Sequence, residues 1–247
     1  MRAAQVRKLL VIEVAIVLVL SFGTSGLRSL LRLISALLDP TPLNDQSTTL
    51  HAQQVAVSWL DLGLQVLGAA TLFSWGCLAL YLLWPHHKLA MLEARDWGWG
   101  ALLAAVIGIP GLAFYLGALY LGLSKEVVPT TLEHLWWEVP VLLLYSAANA
   151  FAEEIVVVFY FITRLRELRC GVWPAIILAA LLRGSYHLYQ GVSAGVGNVV
   201  MGLLFGWVFV RYGKVWPLVL AHFLIDAVAF VGYSAVAGTS VGAWLGI

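Results

Sequence analysis

The chain has 247 residues, of which 62% are apolar and 11% charged, and a net charge of +1. A soluble domain carries about a quarter charged residues, so this composition argues against a soluble enzyme, and the near-zero net charge argues against a nucleic-acid partner. Cys77 and Cys170 have neither metal nor redox spacing, which argues against a disulfide framework.

The first apolar run, Leu9 to about Leu27, follows Arg2, Arg7 and Lys8. It resembles a signal peptide, but no small-x-small cleavage site follows and more apolar runs do, so it reads as an uncleaved first helix. Leu27 to Leu38 carries Arg28 and Arg32 on an apolar stretch, the pattern of an interfacial helix. Asp39-Pro40 to Gln54 reads as a polar loop. Further runs follow at about Val55–Trp84, Gly100–Leu123, Leu135–Leu165, Trp173–Gln190, Gly195–Val210 and Val215–Tyr233. A crossing needs about 20 residues, so these make seven spans, with Ser234 to Ile247 as part of a possible eighth. Trp97, Trp99, Trp136, Trp137, Trp173 and Trp216 stand at run boundaries, as in an aromatic belt. The expected fold class is an all-α polytopic transmembrane bundle of seven to eight spans. It forms one membrane domain, with N-terminal helices over 1–134 and a core carrying the chemistry over 135–247.

Basic residues cluster in alternate loops: Arg2, Arg7 and Lys8; Lys88 and Arg95; Arg164, Arg166 and Arg169; Arg211 and Lys214. The positive-inside rule places these loops, and the N-terminus, in the cytoplasm. The opposing loops carry Asp39, Asp45, Glu126 and Glu133, with Lys125 as a lone base. His86-His87, in a loop, reads as a solvated pair.

Six ionisable residues inside apolar runs stand out: Glu153, Glu154, Arg183, His187, His222 and Asp226. Such groups cost at least a few kcal/mol in the bilayer core and are functional by default. At 1.5 Å per residue, Glu153 lies roughly 16 Å from Arg164, and His187 roughly 21 Å from Trp173. His222 and Asp226 lie roughly 12 and 18 Å from Lys214. All four therefore share one layer near the middle of a core about 30 Å thick. Asn149 and Glu153 share a helix face, as do Arg183, His187 and Gln190, and His222 and Asp226. Glu153 and Glu154 are adjacent, so one is expected to face the cavity and the other a neighbouring helix.

These residues carry a family resemblance. Glu153-Glu154 on a helix ending Thr163-Arg164-Leu165, then Ser185-Tyr186-His187-Leu188, then His222-Phe223-Leu224-Ile225-Asp226 resemble the three motifs of the CPBP family of intramembrane peptidases, the CAAX prenyl endopeptidase and bacteriocin-processing relatives. The resemblance covers about Tyr145 to Tyr233. It implies an eight-helix fold and a glutamate-type peptidase, with Glu153 as the catalytic glutamate, His187 as the second-motif histidine, and His222 with Asp226 as the third motif. Two positions depart from the pattern. Val158 stands where the family usually has arginine, and Arg183 where it often has phenylalanine. Arg183 is expected to supply the missing charge from the next helix, within about 4 Å of Glu153 or Glu154.

Peptide hydrolysis needs an activated water and a stabilised oxyanion. Glu153 is the expected base. His187 is expected to orient the water or hold a proton, and His222 to donate to the oxyanion. Asp226 is expected to orient His222, with Asn149 and Tyr186 in support. The expected substrate is a membrane-associated protein or peptide, the expected setting the plasma membrane of a bacterium, and no cofactor is expected. The alternative is zinc held by Glu153, His187, His222 and Asp226, accepted ligands that lack a His-Glu-x-x-His motif. Two other classes are a non-enzymatic scaffold or immunity protein with the same fold, and a proton-coupled transporter.

Overall fold

The structure, a computed structural model, describes residues 3–84, 86–132 and 136–232. Arg2, Glu133, the Leu135 start of the fourth apolar run, Tyr233 and the Ser234–Ile247 tail lie outside the described residues. Helix α1 (Ala3–Leu20) meets α2 (Phe22–Leu38) at a bend of 49°. The break falls at Ser21, not at the expected Leu27. There the backbone leaves helical values (φ −127°, ψ −118°) and the Ser21 hydroxyl donates to the Val17 carbonyl at 2.6 Å. Nor does α2 simply lie on the surface. It buries Phe22, Gly26, Ser29, Leu33 and Ala36, and packs on α7 (Val172–His187).

Long apolar helices follow: α3 (Ser58–Leu83) and α4 (Ala94–Tyr120). Then α5 (Glu138–Glu153) passes through a π-helical segment, Glu154–Tyr160, into α6 (Phe161–Glu167) as one span. After α7 comes a 3-10 turn, Leu188–Gln190, then α8 (Val192–Tyr212) and α9 (Trp216–Ala227), which ends in a π-helical turn, Val228–Gly232. The protein is an all-α bundle, but the expected seven to eight spans are not reached among the described residues. Four helices are long and apolar enough to cross, or five if α1 and α2 form one bent span. At 16 residues, α7 falls below the roughly 20 needed to cross alone. It is instead sheltered between α2 and α8.

The polar loop after α2 also holds a strand. β1 (Ser47–His51) pairs in parallel with β2 (Glu126–Thr130), in register from Ser47↔Glu126 to His51↔Thr130. This pair ties two loops together at the end of the bundle away from Arg164 and Lys214. β-Branched residues Thr48, Thr49, Val127 and Val128 suit it.

α3 packs on α5 and α4 on α9, so both halves of the chain wrap the π-helical segment. Ile155, Val156, Val157, Val158 and Tyr160 are all buried there. By contrast α4 buries little and exposes Leu102, Val106, Ile109 and Leu112, an apolar face that suits lipid. At the basic end Arg164 binds Glu13 and Glu167, each at 2.8 Å, and the Leu82 carbonyl at 2.6 Å. Lys214 binds Glu93 at 2.9 Å and Asp96 at 3.2 Å. His87 pairs with Glu167 at 2.7 Å, so it is not merely solvated as expected. Glu13, an acid inside the first apolar run, went unnoticed in the sequence because its partner lies 151 residues away.

Candidate active site

Glu153 closes α5 and Glu154 opens the π-helical segment. The π turn takes one more residue per hydrogen-bonded ring than an α turn and recurs at functional sites. Here it begins at the two acids. Contrary to expectation, they do not face different neighbours: both converge on Arg183 of α7. Its Nη2 lies 3.1 Å from Glu153 Oε2 and 2.5 Å from Glu154 Oε1. Neighbouring helical side chains point about 100° apart, but both glutamates are long enough to bend onto one guanidinium that enters between them. Arg183 thus sits within the expected 4 Å of both acids.

The guanidinium is fully buried, backed by the Phe205 ring of α8 at 5.5 Å. It fits because α8 approaches α7 through glycines. A Cβ on Gly202 would lie 2.8 Å from the Ala180 Cα and 3.3 Å from the Arg183 Cδ, and one on Gly195 would lie 3.3 Å from the Gly184 carbonyl. Close backbone approach through small residues is the usual way membrane helices associate. Neither Phe205 nor Gly202 was singled out in the sequence, since apolar residues and glycines are common in every span.

Glu153 Oε2 also accepts a hydrogen bond from the Tyr186 hydroxyl at 2.8 Å, and His187 Nε2 lies 3.7 Å away. Tyr186 therefore touches the carboxylate directly. Glu153 Oε1 makes no hydrogen bond to protein among the described residues, and the side chain keeps 8% exposure. Both ring nitrogens of His187 are buried without a protein partner. The polar stripe ends there: α7 gives way to the 3-10 turn, and Gln190 turns aside to donate to the Tyr189 hydroxyl.

His222 of α9 places Nδ1 2.8 Å from Glu154 Oε1 and 3.0 Å from Arg183 Nη2. Nη2 has two hydrogens and cannot serve three acceptors. The arrangement that satisfies all three contacts has Arg183 Nη2 donating to both glutamates and His222 Nδ1–H donating to Glu154, while Arg183 Nε and Nη1 and Glu154 Oε2 are buried without a protein partner among the described residues. Asp226 Oδ1 lies 3.6 Å from His222 Nε2, too far for a direct hydrogen bond, while Asn149 interacts with the Asp226 carboxyl. The expected orienting role of Asp226 thus passes to Glu154, because the acid two helices away is nearer than the one a turn along. Asn149, Glu153, Glu154, Arg183, Tyr186, His187, His222 and Asp226 come together as a single cluster.

The centre between Glu153, Glu154 and His222 is filled by a guanidinium nitrogen within 3.1 Å of all three. Among the described residues no three His, Cys, Asp or Glu groups are arranged to hold a metal.

Residues 134–228 match the family model described as type II CAAX prenyl endopeptidase Rce1-like. The match spans the whole cluster, from Asn149 to Asp226. No curated protein and no solved structure matches the chain.

Proposed function

We propose, from the Rce1-like match over residues 134–228 and the site it spans, that the chain is a CPBP-type intramembrane peptidase in which Glu153 activates a water molecule to cleave a peptide bond of a membrane-associated substrate, without a metal ion. The observation that carries this reading is that, among the described residues, Glu153 Oε1 has no hydrogen bond to protein while both ring nitrogens of the adjacent His187 lack a partner. The 3.7 Å between the carboxylate and His187 Nε2 is too long for a direct hydrogen bond, so both groups are left to hold a water.

Arg183 and Tyr186 hold Glu153 by Oε2, which leaves Oε1 to take the proton of the water. The resulting hydroxide adds to the substrate carbonyl carbon. His187 orients the nucleophile with one ring nitrogen. As an imidazolium, His222 donates from Nδ1 to Glu154 and from Nε2 to the oxyanion. That protonation state also makes the group of Glu153, Glu154, Arg183 and His222 electrically neutral, which a buried cluster favours. Glu153 then gives its proton to the leaving amide nitrogen, the C–N bond breaks, and an acid and an amine leave. Glu154 keeps the imidazole turned toward the substrate, and Asp226 Oδ1, 3.6 Å from Nε2, sets a carboxylate beside the donating nitrogen.

The buried guanidinium supports a metal-free mechanism, because it supplies the fixed positive charge that zinc would bring. The loop charges support a cytoplasmic N-terminus. The deciding experiment compares membrane peptides from cells carrying the native protein with those carrying Glu153→Gln. Cleavage products seen only with the native protein support the peptidase. Identical peptide sets would favour a non-enzymatic scaffold. Exhaustive chelation should leave the purified protein active; loss of activity reversed by one metal would restore the zinc alternative.

A further inference from the structure

At the end of the bundle away from Arg164 and Lys214, a cavity of about 240 Å³ opens between α2, β1, the segment before β2 and the 3-10 turn after α7. Arg32, Ser35, Ala36 and Asp39 line it from α2 at the spacing of one helical face. Gln46, Thr48, Lys125 and Tyr189 complete the wall. The walls are fixed in place: Ser29 accepts the Tyr189 N–H at 2.6 Å, Gln46 donates to the Ala36 carbonyl at 3.0 Å, and the Lys125 N–H donates to the Gln190 carbonyl at 3.0 Å.

Two cations share this cavity, and among the described residues neither the Arg32 guanidinium nor the Lys125 ammonium has a hydrogen bond or salt bridge to protein. Asp39 feels the charge of Lys125 but lies beyond salt-bridge distance; the Thr41 N–H at 2.8 Å holds it, and its pKa is lowered mainly by that bond. The cavity therefore keeps an excess of one positive charge, with the Ser35 and Thr48 hydroxyls beside it. Leu31, Ile34, Leu37 and Leu38 of the same helix are exposed. An amphipathic helix that exposes both arginine and leucine sits at the boundary between lipid tails and head groups.

We propose that this cavity binds the phosphate of a membrane phospholipid, with Arg32 and Lys125 on the phosphate oxygens, the Ser35 and Thr48 hydroxyls beside them, and the acyl chains along the leucines of α2. Arginine matches phosphate with a planar fork of donors, and lysine adds a mobile point charge. The bound lipid would clamp α2 against the segment before β2. Through Ser29 and Tyr189, α2 is joined to the turn that follows His187.

The site does not depend on peptidase activity, and its test does not measure activity. The purified full chain would be presented with phosphatidylglycerol, phosphatidylethanolamine or a neutral glycolipid of the same chains, and lipid retention read by native mass spectrometry. Both phospholipids should be retained above the glycolipid. Each cation removed, in Arg32→Gln and Lys125→Gln, should weaken phospholipid retention about fivefold. Lys88→Gln, at the other end of the molecule, should change nothing. If the double variant does not fold, Arg32→Gln alone is read, since Arg32 is exposed. Equal retention of glycolipid and phospholipid overturns the proposal, as does a folded double variant that binds like the native protein. Displacement of the lipid by millimolar inorganic phosphate would assign the cavity to a soluble phosphate. Retention unchanged by the variants, with loss of binding to a peptide carrying a free C-terminal carboxylate, would assign it to a peptide. Either result overturns the lipid.

Discussion

At the scale of single residues, the cluster rests on one guanidinium shared by two carboxylates. Glu153→Gln keeps the shape and removes the proposed base, so turnover should fall at least about a hundredfold. Folded yield by size exclusion should hold, because Tyr186 can still donate to the amide oxygen. Arg183→Ala is a different kind of change. It leaves Glu153 and Glu154 buried without their cation, and breaking a buried pair costs about 3–5 kcal/mol. A large drop in melting temperature should accompany the loss of activity. In the native background, Val158→Arg should also harm, because Val158 is buried and a second cation would have to enter the core. Added to Arg183→Ala, it should restore part of the lost stability. A double variant no more stable than Arg183→Ala would show that position 158 cannot reach the acids.

At the scale of elements, the seam between α7 and α8 sets where Arg183 sits. Gly202→Val would drive a side chain into the Ala180 backbone, where even a Cβ would lie at 2.8 Å. Overpacking of this kind costs about 1–3 kcal/mol, and here it should also displace Arg183, lowering activity more than stability alone predicts. Gly111 on α4 is the contrast, with nothing within 4 Å of a Cβ placed there. Gly111→Ala should leave turnover unchanged and stabilise the helix by about 0.5–1 kcal/mol. Thermal unfolding and turnover of the two variants side by side test whether the seam carries the site. Equal effects would mean that it does not.

At the scale of the whole molecule, the small sheet is joined to the helices by His51. Its ring packs at a tilt on Tyr145 of α5, centroids 4.5 Å apart, and edge-to-face on Phe230 beyond α9, centroids 4.6 Å apart, and its Nε2 is buried without a partner among the described residues. Burial pushes its pKa down to about 4. The ordinary value is 6.5, so the unfolded chain takes up a proton before the folded one does. The stability contribution is complete above about pH 6.5 and is lost as pH falls toward 4. At about 1.36 kcal/mol per pH unit, the loss amounts to roughly 3 kcal/mol. Chemical denaturation between pH 7 and 4 should show this decline, and His51→Leu should flatten it. An unchanged slope in His51→Leu would place the sensitivity elsewhere.

The sequence by itself determined the class of the protein and most members of its site. The excess of apolar runs leaves only a membrane bundle, because unpaired backbone in lipid must close its hydrogen bonds within helices. Ionisable residues inside those runs are so costly that Glu153, Arg183, His187, His222 and Asp226 stood out without a structure. Spacing along a helix also put His222 and Asp226 on one face. The tertiary structure decided the rest, since it concerned distances between helices. It turned both glutamates onto Arg183, gave His222 to Glu154 in place of Asp226, and joined the loops after α2 and α4 as strands. It also paired Glu13 with Arg164. A repeat of 3.6 residues fixes which side of a helix a residue occupies. It carries no information about how a π-helical turn shifts that side, or about which neighbour a pair of glycines allows to come close.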